Sequence, residues 1–142
     1  MDSLLDTNVV SQSTKLIPDA RVVAWLAATQ PAELYLSVIS LAEIRFGIEE
    51  MDSGRKRSNF ERWLKHDLRQ SFAGRILIVN EEIAEEAGRL MSIGKRDGAR
   101  PQFADALIAA TAQVHGLRVA TLNRDHFERL GVRLVEFLRP HD

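Results

Sequence analysis

The chain has 142 residues, 45% hydrophobic and 27% charged, which fits one globular domain with a substantial core (residues 1–142). The formal net charge of -1 removes any global electrostatic case for polyanion binding and leaves only a local basic rim. With no cysteine, disulfides, thiolate chemistry and zinc–thiolate sites are excluded. No apolar run is long enough for a membrane, and the N-terminus lacks a signal-peptide pattern, so a cytoplasmic setting is expected.

Ser3-Leu4-Leu5 is short and apolar and predicts a first strand that runs into Asp6-Thr7-Asn8. Asp19 predicts an N-cap for a helix carrying Val22, Val23, Trp25 and Leu26. Pro31 punctuates the next joint, residues 33–36 predict a brief strand, and Ser37 an N-cap. Val38 to about Met51 has helical spacing, with Leu41, Ile44, Arg45 and Ile48 near one face. Gly54 and Arg55-Lys56-Arg57 predict a turn or exposed start. Phe60, Trp63, Leu64, Leu68 and Phe72 form a further helical stripe that Gly74 ends. Ile76-Leu77-Ile78-Val79 is continuously apolar, the pattern of a buried central parallel strand. Glu81 to about Ile93 predicts helix, and residues 95–100 a basic loop. Pro101 suits the first turn of a helix whose apolar side is Phe103, Ala106, Leu107, Ala110 and Val114, and which Gly116 stops. Leu117–Ala120 and Arg133–Phe137 predict the last strands. This alternation implies a three-layer α/β/α domain with a mainly parallel sheet.

In such sheets ligands bind beyond the carboxyl ends of the strands. Asp6 sits at one such end and the loop Thr121–Asp125 at another, while Glu43 and Asp105 lie on helices able to reach the same edge. Asp105, Ala109 and Ala112 fall near one helical line, so small residues leave room beside the carboxylate. Gly47 does the same beside Glu43. Clustered carboxylates in a narrow crevice are costly without compensation, and hard oxygen ligands suit Mg²⁺ or Mn²⁺. Such a cation activates water and stabilises charge on a phosphoryl oxygen. Asp6, Glu43 and Asp105 are therefore the candidate catalytic and metal-ligating residues, with Asp125 the fourth. Thr7, Asn8, Thr121 and Asn123 are candidate supporting residues. Each acid has a plainer alternative. Asp6 and Asp125 suit turns or caps, Glu43 a surface ion pair with Arg45, and Asp105 the first turn of a helix.

Arg55-Lys56-Arg57, Lys95-Arg96 and Arg100 are candidate phosphate contacts or solvated loops. Trp25, Phe60, Trp63, Phe72 and Met91 are spaced for packing. The four histidines show no metal-binding spacing, and His126 is expected to make a local hydrogen bond. No dinucleotide fingerprint or phosphate-binding Lys-Ser/Thr loop is present, which disfavours an NAD enzyme or P-loop NTPase.

The ordered segments Leu4-Leu5-Asp6-Thr7-Asn8, Ser40-Leu41-Ala42-Glu43, residues 103–112 and Val119-Ala120-Thr121-Leu122-Asn123 resemble the PIN-domain family, most of all the VapC/FitB-type toxins of bacterial type II toxin–antitoxin systems. The resemblance covers nearly the whole chain. It implies a PilT N-terminus-like fold and a metal-dependent endoribonuclease, with Mg²⁺ (or Mn²⁺) as cofactor and the acidic roles on Asp6, Glu43 and Asp105. Asn123 stands where some relatives carry an acid, and Asp125 is the nearby substitute. The resemblance further implies an RNA substrate, with tRNA a candidate, and a VapB/FitA-type antitoxin that inserts an Arg at the acidic groove. It also implies operator DNA bound through the antitoxin, homodimers and larger toxin–antitoxin complexes. The alternative function is a protein-binding part of a DNA-bound regulatory complex with little nuclease activity.

Overall fold

Four short parallel strands form the centre of the chain, which the computed structural model describes over residues 1–98 and 100–136. They are β1 (Ser3–Leu5), β2 (Leu34–Ser37), β3 (Ile76–Leu77) and β4 (Arg118–Ala120), in the order β3-β2-β1-β4. Register pairs Leu4 with Tyr35 on one side and with Val119 on the other. The chain lays β2 and β3 outward on one side of β1 and then returns to place β4 on the other. The strand order therefore reverses between β1 and β4, the position where open α/β sheets build their ligand crevices.

Period-two alternation assigns the strand side chains to two cores. Leu4 and Val119 face α6 (Glu81–Arg96) and α7 (Phe103–His115), whereas Leu5, Leu34, Leu36 and Ala120 face the opposite layer. That layer holds α1 (Thr7–Val10), α2 (Ala20–Ala28) and α3 (Val38–Glu49), then α4 (Arg55–Arg62), a π-helical stretch at Trp63–Leu68 and α5 (Arg69–Ser71). A short α8 (Arg124–Glu128) follows β4 and is pinned by Phe127, which is fully buried. The result is the expected three-layer α/β/α arrangement. Alanines 106, 109, 110 and 112 of α7 are all fully buried, so small side chains let this helix lie close to the sheet and to α6. No helix among the described residues is long and apolar enough to cross a membrane.

The predicted caps form. Asp19 accepts from the amides of Arg21 and Val22, Ser37 from that of Ile39, and Gly116 ends α7 in the left-handed region at φ 68°. Phe60 and Trp63 meet edge to face at 6.3 Å, a packing role.

Four expectations change. The run Ile76–Val79 is not a central strand: β3 is two residues long, pairs only with β2 at the sheet edge, and leaves Ile78 67% exposed. Apolar continuity alone does not separate an edge strand from a central one. Lys95 and Arg96 belong to the last turn of α6 rather than to a loop, whereas Arg55-Lys56-Arg57 is the expected exposed start, the first turn of α4 entered from Gly54 at φ 146°. Pro101 lies outside α7, whose N-cap is Gln102. In place of a last strand, Leu134 forms a single parallel bridge to Val119; Phe137 lies outside the described residues.

Candidate active site

β1 delivers Asp6 to the sheet's carboxyl edge, and its neighbour β4 delivers Thr121 to the same place. The Asp6 amide donates to the Ala120 carbonyl at 2.9 Å, so the ladder's last bond fixes where the side chain starts. The carboxylate then accepts from the Thr7 amide (2.8 Å, Oδ1) and from the Thr121 hydroxyl (2.7 Å, Oδ2). Asp6 is thus the N-cap of α1 as well as a site candidate. The cap alternative from the sequence is true, and with one hydrogen bond on each oxygen the carboxylate keeps further lone pairs for other work.

Asp6 is only 4% exposed. Burial is the main cause that pushes its pKa up from 3.8 to about 6. The two hydrogen bonds oppose that shift, while the charges of Asp105 and Glu43 add to it. Asp105 and Glu43 are thus near enough for their charges to act on Asp6. The folded state therefore favours protonated Asp6. Stability is full below about pH 4 and falls as pH rises through 6, by roughly 3 kcal/mol for a shift of this size. A carboxylate kept ionised at neutral pH under that penalty is a place where a cation is stabilising.

Glu43, exposed on α3, is held by Thr7, whose Oγ1 lies 2.6 Å from Glu43 Oε1 and 2.8 Å from Ser40 Oγ. A carboxylate only accepts, so the Thr7 proton goes to Glu43 and the Ser40 hydroxyl donates to Thr7. Arg45, the ion-pair partner weighed for Glu43, instead binds Glu49 and Glu61. Among the described residues neither Asp6 nor Glu43 has a cationic partner within ion-pair distance. Asn8 acts by bracing: its Oδ1 accepts from the Leu122 amide at 3.1 Å and ties α1 to the loop after β4. The Asn123 amide donates to Thr121 Oγ1 at 2.9 Å, which leaves the Thr121 hydroxyl proton for Asp6.

Asp105 lies in the first turn of α7, where the helix dipole favours a negative charge. Its Oδ2 is 3.2 Å from His126 Nδ1. The expected local hydrogen bond of His126 is therefore a tertiary one, across 21 residues of sequence. Asp125, exposed in the first turn of α8, shares a cleft of about 380 Å³ with Asp105 and His126. A second cleft, of about 360 Å³, also borders Asp125 and His126 and reaches Asn123 and Arg21, so α8's first turn is the ridge between the two. Sequence spacing missed the His126–Asp105 contact and the Ser40–Thr7–Glu43 relay. The only signal for the second was Ser40 three residues before Glu43, one helical turn away.

Among the described residues no three acidic or histidine side chains are gathered tightly enough to hold one ion by direct contact alone. The donor set still fits a hard divalent cation of the Mg²⁺ class, which keeps several waters and needs only one or two carboxylates. Asp6, without a cationic partner among the described residues and with Asp105 and Glu43 close enough to raise its pKa, would supply those oxygens.

Comparisons with known proteins agree with this architecture. A family model described as PIN domain matches residues 3–132. The chain is 38% identical over 137 residues to the VapC ribonuclease Y4jK of Sinorhizobium fredii, covering 96% of this chain and 98% of that protein. It is 40% identical over 124 residues to toxin FitB of Neisseria gonorrhoeae, covering 87% and 89%. The structure of FitAB bound to an IR36 DNA fragment superposes with a TM-score of 0.90 at 35% identity, over 98% of each chain.

Proposed function

The chain belongs to the PIN-domain family and is a VapC/FitB-type nuclease toxin, neutralised by its antitoxin; from that premise we propose that it is an endoribonuclease dependent on Mg²⁺ or Mn²⁺. The observation that carries this reading is Asp6: a buried carboxylate at the strand-order reversal, coupled to two further acids, with no cationic partner among the described residues. Asp6 and Asp105 are the proposed ligands, with Glu43 and Asp125 assisting directly or through water. When bound, the cation lowers the pKa of an attacking water and stabilises negative charge on the phosphoryl oxygens of RNA.

The chain's own residues do the positioning. Thr121 and the Thr7 amide fix both oxygens of Asp6. Thr7, itself bonded to Ser40, holds Glu43, and His126 orients Asp105. Because Asp6 titrates near 6, its carboxylate is ionised above that pH and neutralised below it, so cleavage is lost on the acid side. The proposed partners are a FitA/VapB-type antitoxin that covers the acidic groove, and a second copy of the chain.

The test is RNA cleavage by the antitoxin-free protein with Mn²⁺ or with EDTA, alongside Asp6→Asn and Asp105→Asn shown to be folded. Cleavage that needs the metal and both acids supports the proposal; cleavage that persists in EDTA and in both variants ends it. The DNA-bound FitAB structure favours one second reading, a regulatory binding component with little nuclease activity. Operator binding with the antitoxin, and no RNase activity in the metal-replete free protein, would select it.

A further inference from the structure

We propose that the cleft of about 380 Å³ between α7 and α8 seats a phosphodiester of the RNA strand next to the scissile one, held by Arg100 and Arg129. The inference rests on the RNA-cleaving reading above and names the contacts that let an acidic site accept a polyanion.

Asp105 and Asp125 form the acidic part of the cleft wall, so whatever occupies it adjoins the candidate active site. The rest of its polar lining is Arg100, Gln102, His126 and Arg129, all exposed. Carboxylates alone repel a phosphate, and two guanidiniums beside them reverse the local field.

These two arginines combine a place in this cleft with side chains left uncommitted. Arg21, Arg45, Arg57, Arg89 and Arg124 each pair with a carboxylate at 3.4 Å or less. Arg100 and Arg129 form no ion pair or side-chain hydrogen bond with any described residue, although acids stand in the same cleft. A planar guanidinium with its donors open matches the oxygens of a phosphodiester.

Both are also placed by packed backbone. Arg129 follows α8 and lies between Phe127 and Leu130, which are buried. Arg100 precedes Pro101, which packs so closely on α6 that a Cβ at Gly94 would meet its Cγ at 3.2 Å. Gly94 is a helical position where no side chain fits without movement, and its bareness lets Pro101 seat. The two arginines thus come from separate segments, each anchored to the core, and meet across one cleft. Such fixed placement lowers the ordering cost of binding.

The test uses the full chain and a single-stranded oligoribonucleotide. Binding is measured in EDTA over a range of NaCl concentrations, and cleavage in Mn²⁺. Replacing both residues (Arg100→Gln with Arg129→Gln) is expected to weaken binding at low salt about tenfold and to reduce the slope of log K against log salt by roughly 1.4, two single-strand contacts. KM rises correspondingly and kcat stays within about twofold, since the lost contact is made equally in ground and transition states. The Lys double variant keeps most of the slope, which separates charge from folding. Arg69→Gln, an exposed arginine on α5 outside the cleft, changes neither quantity. A double Gln variant that cleaves RNA with unchanged KM and salt slope overturns the inference and leaves the nuclease reading standing. A wild-type protein that neither binds nor cleaves RNA overturns both.

Discussion

Helix α3 carries two glutamates with opposite circumstances. Glu49 points into a network in which Arg45 binds Glu49 and Glu61, Arg57 binds Glu49, and Lys65 approaches Glu61. There the cations hold the Glu61 carboxyl below its ordinary pKa, the Arg45 hydrogen bond foremost. Glu43, under two turns earlier, accepts from the Thr7 hydroxyl and has no cationic partner among the described residues, near an Asp6 whose pKa is raised. One region neutralises its acids from within; the other leaves them negative and coupled. Arg100 and Arg129 stand uncommitted while, among the described residues, none pairs with Asp6, so the contrast lies in the site rather than in the supply of arginine. The difference teaches that the acid count says little about function. What matters is which acids are left without an internal counter-charge, and where the sheet places them.

The largest expected effect that breaks or sharpens this contrast comes from Asp6→Asn. Metal-dependent cleavage should fall by at least ~10³-fold, the scale of several kcal/mol of lost charge stabilisation. In metal-free buffer at pH 8 the same variant should be more stable than wild type by about 1–3 kcal/mol, because it removes the cost of ionising a buried carboxyl. By pH 4, where Asp6 is protonated in the folded state and the penalty is gone, that gain should vanish. Urea denaturation at the two pH values checks both signs. A variant less stable at pH 8 would mean that the two hydrogen bonds to Asp6 outweigh its burial.

His126→Ala comes next. Loss of the contact that orients Asp105 should lower activity or metal affinity about 10–100-fold with little change in melting temperature. His126→Asn, which restores a donor, should recover part of it. Thr121→Val is smaller. It removes a hydrogen bond that lowers the Asp6 pKa and leaves the Asn123 amide unpaired, at a cost of about 1–2 kcal/mol. The acid limb of the pH–rate profile, expected near 6 in wild type, should move to higher pH. Raising Mn²⁺ should move it back down, because a cation favours the ionised form. The smallest effect belongs to the other region: Glu61→Gln should leave cleavage unchanged and alter the melting temperature only at low salt. A large activity loss there would erase the contrast between the two regions.

Much of this was legible in the residues. Capping oxygens at Asp19 and Ser37 act within a few residues of themselves, so spacing reveals them. Asp6 was visible because an acid directly after an apolar strand stands at the sheet's carboxyl edge, a place that also suits the N-cap it forms. What stayed hidden depends on tertiary partners. The edge position of β3 follows from which strand pairs with it, and an apolar run at 76–79 carries no such information. The same holds for Arg45: Glu43, two residues away, points to another face of α3, Glu49 is in helical reach, and Glu61 arrives from α4. His126 meets Asp105 only because the buried ring of Phe127 seats α8 beside α7. Pro101 was expected inside α7 and lies just before it, because Gln102 takes the N-cap position.

The central claim, that the unneutralised acids at the end of β1 hold a divalent cation, is tested most directly by calorimetric titration of the free protein with Mn²⁺ at pH 7.5, in wild type and in folded Asp6→Asn. Saturable binding in wild type that disappears in the variant is the predicted result. No binding by wild type at millimolar Mn²⁺, or equal binding by both proteins, would contradict it.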